Sequence, residues 1–174
     1  MTKTPDLIKN SAKRLPCGRM IPPTPIGHGS PKSHWKAQLE EYVISQGLRR
    51  SDQRWKIAEA ILSVAEHLSA QEIVSLIQKK HPGIGAATVY RNIKVLCDAL
   101  ILKESLTDAR GHVVYEIFDK AHHDHIVCLD CGEIFEFHDN EIERLQEKII
   151  RKQNFDEVRH RHVVYANCSL KSGS

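Results

Sequence analysis

Apolar residues recur at helical spacing through the first half of this chain and at strand spacing through much of the second. Ile57, Ala58, Ile61, Leu62 and Ala65 share one face of a helix, with His67 just past that stripe. A shorter helix fits Trp35 to Ile44 and should end before Gly47. Ser69-Ala-Gln-Glu72 reads as a capping box that opens a helix burying Ile73, Leu76 and Ile77, and Pro82-Gly83 stops it. A tight turn at Gly85 leads to a third amphipathic helix, Ala87 to Leu96. Val89, Ile93 and Leu96 face inward there, while Thr88, Tyr90, Arg91 and Lys94 point elsewhere. Two short strands, Ile101 to Leu106 and His112 to Ile117, flank the polar turn Thr-Asp-Ala-Arg-Gly. Three helices and a hairpin make a winged helix, a shape whose last helix can enter a major groove while the hairpin and helix ends approach phosphates.

The second half predicts strands at His125 to Cys128, Ile134 to Phe137 and His162 to Ala166. A helix from Asn140 to Lys152 should bury Ile142, Leu145 and Ile149. The fold class is therefore α+β: an N-terminal winged-helix domain over residues 34–117, then a small α/β domain of three strands and one helix over 118–174. A unit of that size supplies little core by itself, so metal or dimerisation should complete it. Residues 1–33 hold six of the seven prolines and no apolar periodicity, and they read as a disordered tail.

Charge sharpens the division. Residues 1–35 carry six Lys/Arg against one acid, 36–97 carry nine against six, and 98–174 carry ten against fifteen. A basic front suits a polyphosphate partner, and an acidic, histidine-rich back suits a divalent cation. No apolar run approaches the roughly 20 residues that span a bilayer, and the first ten residues lack a secretory apolar stretch, so no membrane and a cytoplasmic address are expected. In such a reducing compartment Cys128-x-x-Cys131 is a candidate metal half-site rather than a disulfide.

The densest chemistry is His122-His123-Asp124-His125-Ile-Val-Cys128-Leu-Asp-Cys131-Gly132. In an extended segment His123 and His125 face one way while His122 and Asp124 face the other, so one strand can serve two sites. Cys128 and Cys131 have zinc-knuckle spacing, and Cys168 is the obvious third thiolate. A thioredoxin-like redox pair is disfavoured because this Cys-x-x-Cys does not open a helix in a strand-helix-strand unit. A metal-dependent hydrolase and a purely structural zinc adaptor are the rival classes. No HExxH, nucleophile-base motif or phosphate loop supports the first.

Gly85-Ala-Ala-Thr-Val-Tyr-Arg91, Tyr115-Glu116, the His122 to Gly132 run and Glu136-Phe137 resemble the ferric uptake regulator family of bacterial repressors, in its order and spacing from about Gly47 to Cys168. The resemblance implies a metal-dependent DNA-binding repressor of metal-homeostasis genes, acting as a homodimer on a palindromic A·T-rich operator in double-stranded DNA. It implies a sensory site of His67, Glu116, His123, His125 and Glu136, and a second site of His122, Asp124, Glu143 and His160. Cys128, Cys131 and Cys168 would hold structural Zn(II), with Fe(II) or Mn(II) as co-repressor. Glutamate at 116 and 136, where peroxide-sensing relatives have aspartate, favours iron, and zinc-uptake relatives bring in a cysteine that is absent here. Manganese or zinc responsiveness stays open as the alternative. Arg49 would enter the minor groove, Tyr90 and Arg91 would lie nearest the bases, and Thr88 would meet a phosphate. One departure is plain: the family often has a second thiol pair at the C-terminus, whereas Cys168 is followed by Ser-Leu-Lys-Ser-Gly-Ser.

Overall fold

The structure is a computed structural model that describes residues 13–14, 20–21, 34–64, 67–118, 122–156 and 159–168. It divides into two compact units, Gly27–His122 and Met1–Ile26 together with His123–Ser174. The sequence placed the junction between residues 117 and 118. The division falls between His122 and His123. Of the N-terminal stretch expected to be disordered, β1 (Lys13–Arg14) and β2 (Met20–Ile21) form a short antiparallel ladder, and the rest lies outside the described residues.

The helical unit runs α1 (Trp35–Ser45), α2 (Asp52–Leu62), β3 (Leu68–Ser69), α3 (Ala70–Lys80), α4 (Ala86–Asp98), β4 (Leu102–Thr107) and β5 (Val113–Ile117). The capping box forms as expected: Ser69 Oγ accepts from Glu72 N, and Glu72 Oε2 accepts from Ser69 N at 2.8 Å. Satisfying two orphan donors fixes where α3 begins. Leu39, Ile57, Ile73, Ile77, Val89, Leu96 and Leu102 are fully buried together, so the stripes of all four helices meet in one core. Leu76, expected on that buried face, is absent from the core, which Val74 supports from its edge instead. After α4 the chain reverses through Leu100, at φ 54, so the strand starts at Leu102 rather than Ile101.

The wing has three strands in the order β3-β5-β4, all antiparallel. Its turn is closed by Asp108, whose Oδ1 accepts from the backbone N–H of Arg110 and of His112, each at 2.8 Å. Gly111 sits there at φ 85, a backbone that a side chain would strain. β3 was not foreseen. Two residues carry no alternation to read, yet this strand decides where His67 lies.

The second unit contains β6 (Asp124–Cys128), β7 (Ile134–Phe137), α5 (Asn140–Lys152) and β8 (Val163–Ala166). Its sheet order is β7-β6-β8, with β6 antiparallel to β7 and parallel to β8. Asp139 caps α5 by accepting from Glu141 N at 2.7 Å and Ile142 N at 3.2 Å. Here one expectation fails. No residue of α5 is buried: Leu145 is 60% and Ile149 is 54% exposed, and Ile142 is half-covered. A single three-stranded sheet with a narrow core leaves the helix's apolar stripe without a full second layer.

Candidate metal centre and nucleic-acid interface

In the helical unit, strand register assembles one group of ligands. Leu68 pairs with Tyr115, so the residue preceding β3, His67, arrives opposite Glu116 on β5. Its Nε2 lies 2.8 Å from Glu116 Oε2, and both side chains are nearly excluded from solvent. Glu116 also pairs across the sheet with Lys103 of β4, whose Nζ lies 3.0 Å from Oε1. A carboxylate this deeply buried needs compensating partners. Lys103 was missed by sequence reasoning, although its position directly opposite Glu116 in a hairpin was a readable signal.

The second unit holds the other expected sensory residues. His123 and His125 are buried, with ring centroids 4.8 Å apart in an edge contact. Glu136 of β7 faces His125 in register, and its Oε2 lies 4.0 Å from His123 Nε2. Strand alternation sends Asp124 the opposite way. There Asp124, Glu143 and His160 offer ligand atoms that all lie within 4.8 Å of one another. His160 Nε2 is 3.7 Å from Asp124 Oδ1 and 3.7 Å from Glu143 Oε2. Two residues join this group that the sequence reading did not name: His162 Nδ1 is 3.7 Å from Asp124 Oδ2, and His138 Nδ1 is 3.8 Å from Glu143 Oε1. The i, i+2 spacing of His160 and His162 in an extended segment was the available signal. His122, the fourth residue expected in this set, is exposed.

These spacings suit a cation. Distances of 3.7 to 4.0 Å between ligand atoms are too long for hydrogen bonds and a few tenths of an ångström wider than the roughly 3 to 3.6 Å between two ligands each about 2.1 Å from a shared metal, so a cation would have only to draw them slightly inward. Imidazole and carboxylate donors without sulfur are the set that iron, manganese, cobalt and zinc accept.

The thiols gather at one end of the same sheet. Cys128 ends β6, Cys131 follows in the turn, and β8 brings Cys168 back beside them, because Ala166 pairs with Cys128 and its carbonyl accepts from Leu129 N at 2.9 Å. Asp130 fastens the return: its carboxylate accepts from Cys168 N at 2.6 Å and Asn167 Nδ2 at 3.3 Å. Cys128 and Cys168 are buried. Among the described residues the converging ligand groups do not include the three thiols. Cys97 lies apart on α4, where burial, helped by the carboxylates of Glu104 and Asp98, pushes its thiol up to about 11. It therefore stays protonated and inert.

The α4 surface presents Ala87, Tyr90, Arg91 and Lys94, all exposed, with Arg91 Nη2 donating to Thr88 Oγ1 at 3.3 Å. Arg49 is exposed in the loop before α2. A partly buried bracket, also unforeseen, ties these parts together. Arg54 Nε donates to Asn92 Oδ1 at 3.1 Å, its Nη1 donates to the Arg49 carbonyl at 3.1 Å, and Asn92 Nδ2 donates to the Thr88 carbonyl at 2.8 Å. One guanidinium thus sets the loop of Arg49 against the start of α4.

With this geometry in hand, comparison with known proteins is decisive: residues 45–165 match the ferric uptake regulator family. The chain belongs to the ferric uptake regulator family. It is a metal-dependent transcriptional regulator of that type. The ferric uptake regulation protein of Neisseria meningitidis serogroup A is 39% identical over 134 residues, covering 76% of this chain and 90% of the relative. The Helicobacter pylori ferric uptake regulator, described as having three functional metal binding sites, superposes with a TM-score of 0.71 at 31% identity over 80% of this chain and 94% of its own. The Pseudomonas aeruginosa regulator, solved with manganese, gives 0.61 at 33% identity over 75% and 97%. Family membership places the chain among transcription regulators. Among the described residues no helix is long and apolar enough to cross a membrane.

Proposed function

We propose that this ferric uptake regulator represses metal-homeostasis genes in the cytoplasm, with ferrous iron as co-repressor, by binding a palindromic A·T-rich operator as a homodimer. The observation that carries this reading is the division of labour between the units: His67 and Glu116 stand together in one, while His123, His125 and Glu136 stand together in the other. These five form the proposed sensory site. A divalent cation bound by both groups supplies coordination bonds that only one relative placement of the units satisfies, and binding energy then becomes conformational bias.

The chain's own residues do the rest. β3–β5 register holds the His67 imidazole against Glu116, and the β6–β7 register holds Glu136 beside His123 and His125. Burial of both groups keeps water from competing for them. His122, Asp124, Glu143 and His160 form the proposed second site, which would pin α5 and the segment before β8 onto β6. Cys128, Cys131 and Cys168 are proposed structural zinc ligands, with a fourth position supplied from outside this trio. Manganese is the second reading of the sensory metal, favoured by the manganese found in the Pseudomonas aeruginosa relative and by an identical donor preference.

On DNA, Tyr90 and Arg91 would reach base edges, Thr88 a phosphate, and Arg49 a narrow minor groove. Fluorescence anisotropy on an operator duplex, with manganese as an air-stable stand-in and then with chelator, tests the function. Affinity should rise at least about tenfold with metal, and equal affinity in both conditions would refute a sensor. Arg91→Ala should weaken operator binding by roughly 1–3 kcal/mol while metal content, measured by plasma emission, is unchanged. Loss of metal together with DNA binding would instead mean a damaged fold.

A further inference from the structure

Lys103 belongs to none of the ligand sets, yet its ammonium rests on the carboxylate at the heart of one of them. Glu116 is 3% exposed, and its two oxygens are shared out: Oε2 to His67 Nε2 at 2.8 Å, Oε1 to Lys103 Nζ at 3.0 Å. The pairing follows from register, since Lys103 lies directly across the β4–β5 ladder from Glu116. The lysine side chain is 38% exposed, so it reaches the buried carboxylate from the solvent side.

An ammonium has three donors and no lone pair, so it cannot ligate a metal. Two consequences oppose each other. The ion pair orients Glu116, which helps any cation that binds there. The same fixed charge repels a divalent cation arriving a few ångströms away. Orientation by the lysine contributes little, because Glu116 is also held by His67 Nε2 and the lysine end of the pair is 38% exposed: no more than about fivefold in a binding constant. Repulsion between a divalent and a monovalent cation about 5 Å apart amounts to roughly tenfold or more even with the screening of bulk water. Should the ammonium swing out into solvent, the ion pair is lost, which also opposes binding. Repulsion therefore wins.

We propose that Lys103 sets the metal threshold of the sensory site, its ammonium holding Glu116 in the metal-free protein and raising the cation concentration at which the site fills. This rests on Glu116 being a sensory ligand, and the test separates the two ideas. Manganese binding to the full-length protein is followed by titration calorimetry for the wild type, Lys103→Met, Lys103→Arg and Glu116→Gln. The binding step that disappears in Glu116→Gln identifies the sensory site. For that step Lys103→Met should bind manganese about tenfold more tightly, and Lys103→Arg should stay within about twofold of the wild type. The metal-free Lys103→Met protein should also melt at a lower temperature than the wild type, with manganese restoring the difference. If Lys103→Met melts lower yet its manganese affinity is unchanged or weaker, Lys103 is only a structural partner and the threshold role is overturned. If Glu116→Gln keeps every step of the wild type, the ligand assignment itself fails and the threshold role fails with it. Should Lys103→Met not fold, Lys103→Gln is measured against the same two outcomes.

Discussion

Glu116→Ala is expected to abolish the stimulation of operator binding by metal, a loss of roughly 5- to 150-fold at saturating manganese, the range typical of coupling between two sites. Glu116 is the residue that both His67 and Lys103 contact, so its removal dissolves the helical unit's contribution in one step. His123→Ala should reproduce the loss from the other unit, where His123 touches His125 and lies beside Glu136. Each variant should keep the wild-type circular dichroism spectrum, since neither side chain belongs to the apolar core. The check is anisotropy with and without metal. Stimulation surviving in either variant would show that the sensory cation sits elsewhere.

Leu145→Asp should have the largest effect on assembly. α5 leaves Leu145 and Ile149 exposed, and Val164 and Tyr165 of β8 are also open to solvent, so this unit has apolar surface that its own chain does not cover. Burying a leucine contributes about 1.5–3 kcal/mol, and a two-fold interface counts the change twice. Placing a charge there adds a desolvation cost. The dimer dissociation constant should therefore rise by about a thousandfold or more, which sedimentation velocity at micromolar concentration resolves as monomer. An unchanged dimer would show that the interface uses another face.

Much of the architecture was legible because each element had its own local signal. The apolar stripes of α2 and α4 and the Ser69–Glu72 capping box each state a boundary in a few residues. Sequence reading failed where structure depends on distant partners. β3 is two residues long and exists because β5 offers it a ladder, so nothing in Leu68-Ser69 announces it. α5 has a clean apolar stripe, and periodicity could say that the stripe must be covered but not by which molecule. The same distinction governs the sites. His123, His125 and Asp124 were sorted to opposite faces by the two-residue period of a strand. His162 and His138 were overlooked because their neighbours, Asp124 and Glu143, come from other elements. The Arg54–Asn92 bracket spans two helices, and its parts look like ordinary helix surface when read singly.

The central claim is that ligands from two separately packed units are brought under one cation. Single-molecule energy transfer, with one dye on the outer face of α4 and the other on α5, measures the spacing of the units directly. Adding manganese should collapse a broad distribution to one narrow spacing in the wild type and leave His67→Ala as broad as without metal. A distribution that narrows equally in His67→Ala, or never responds to metal, would contradict the claim.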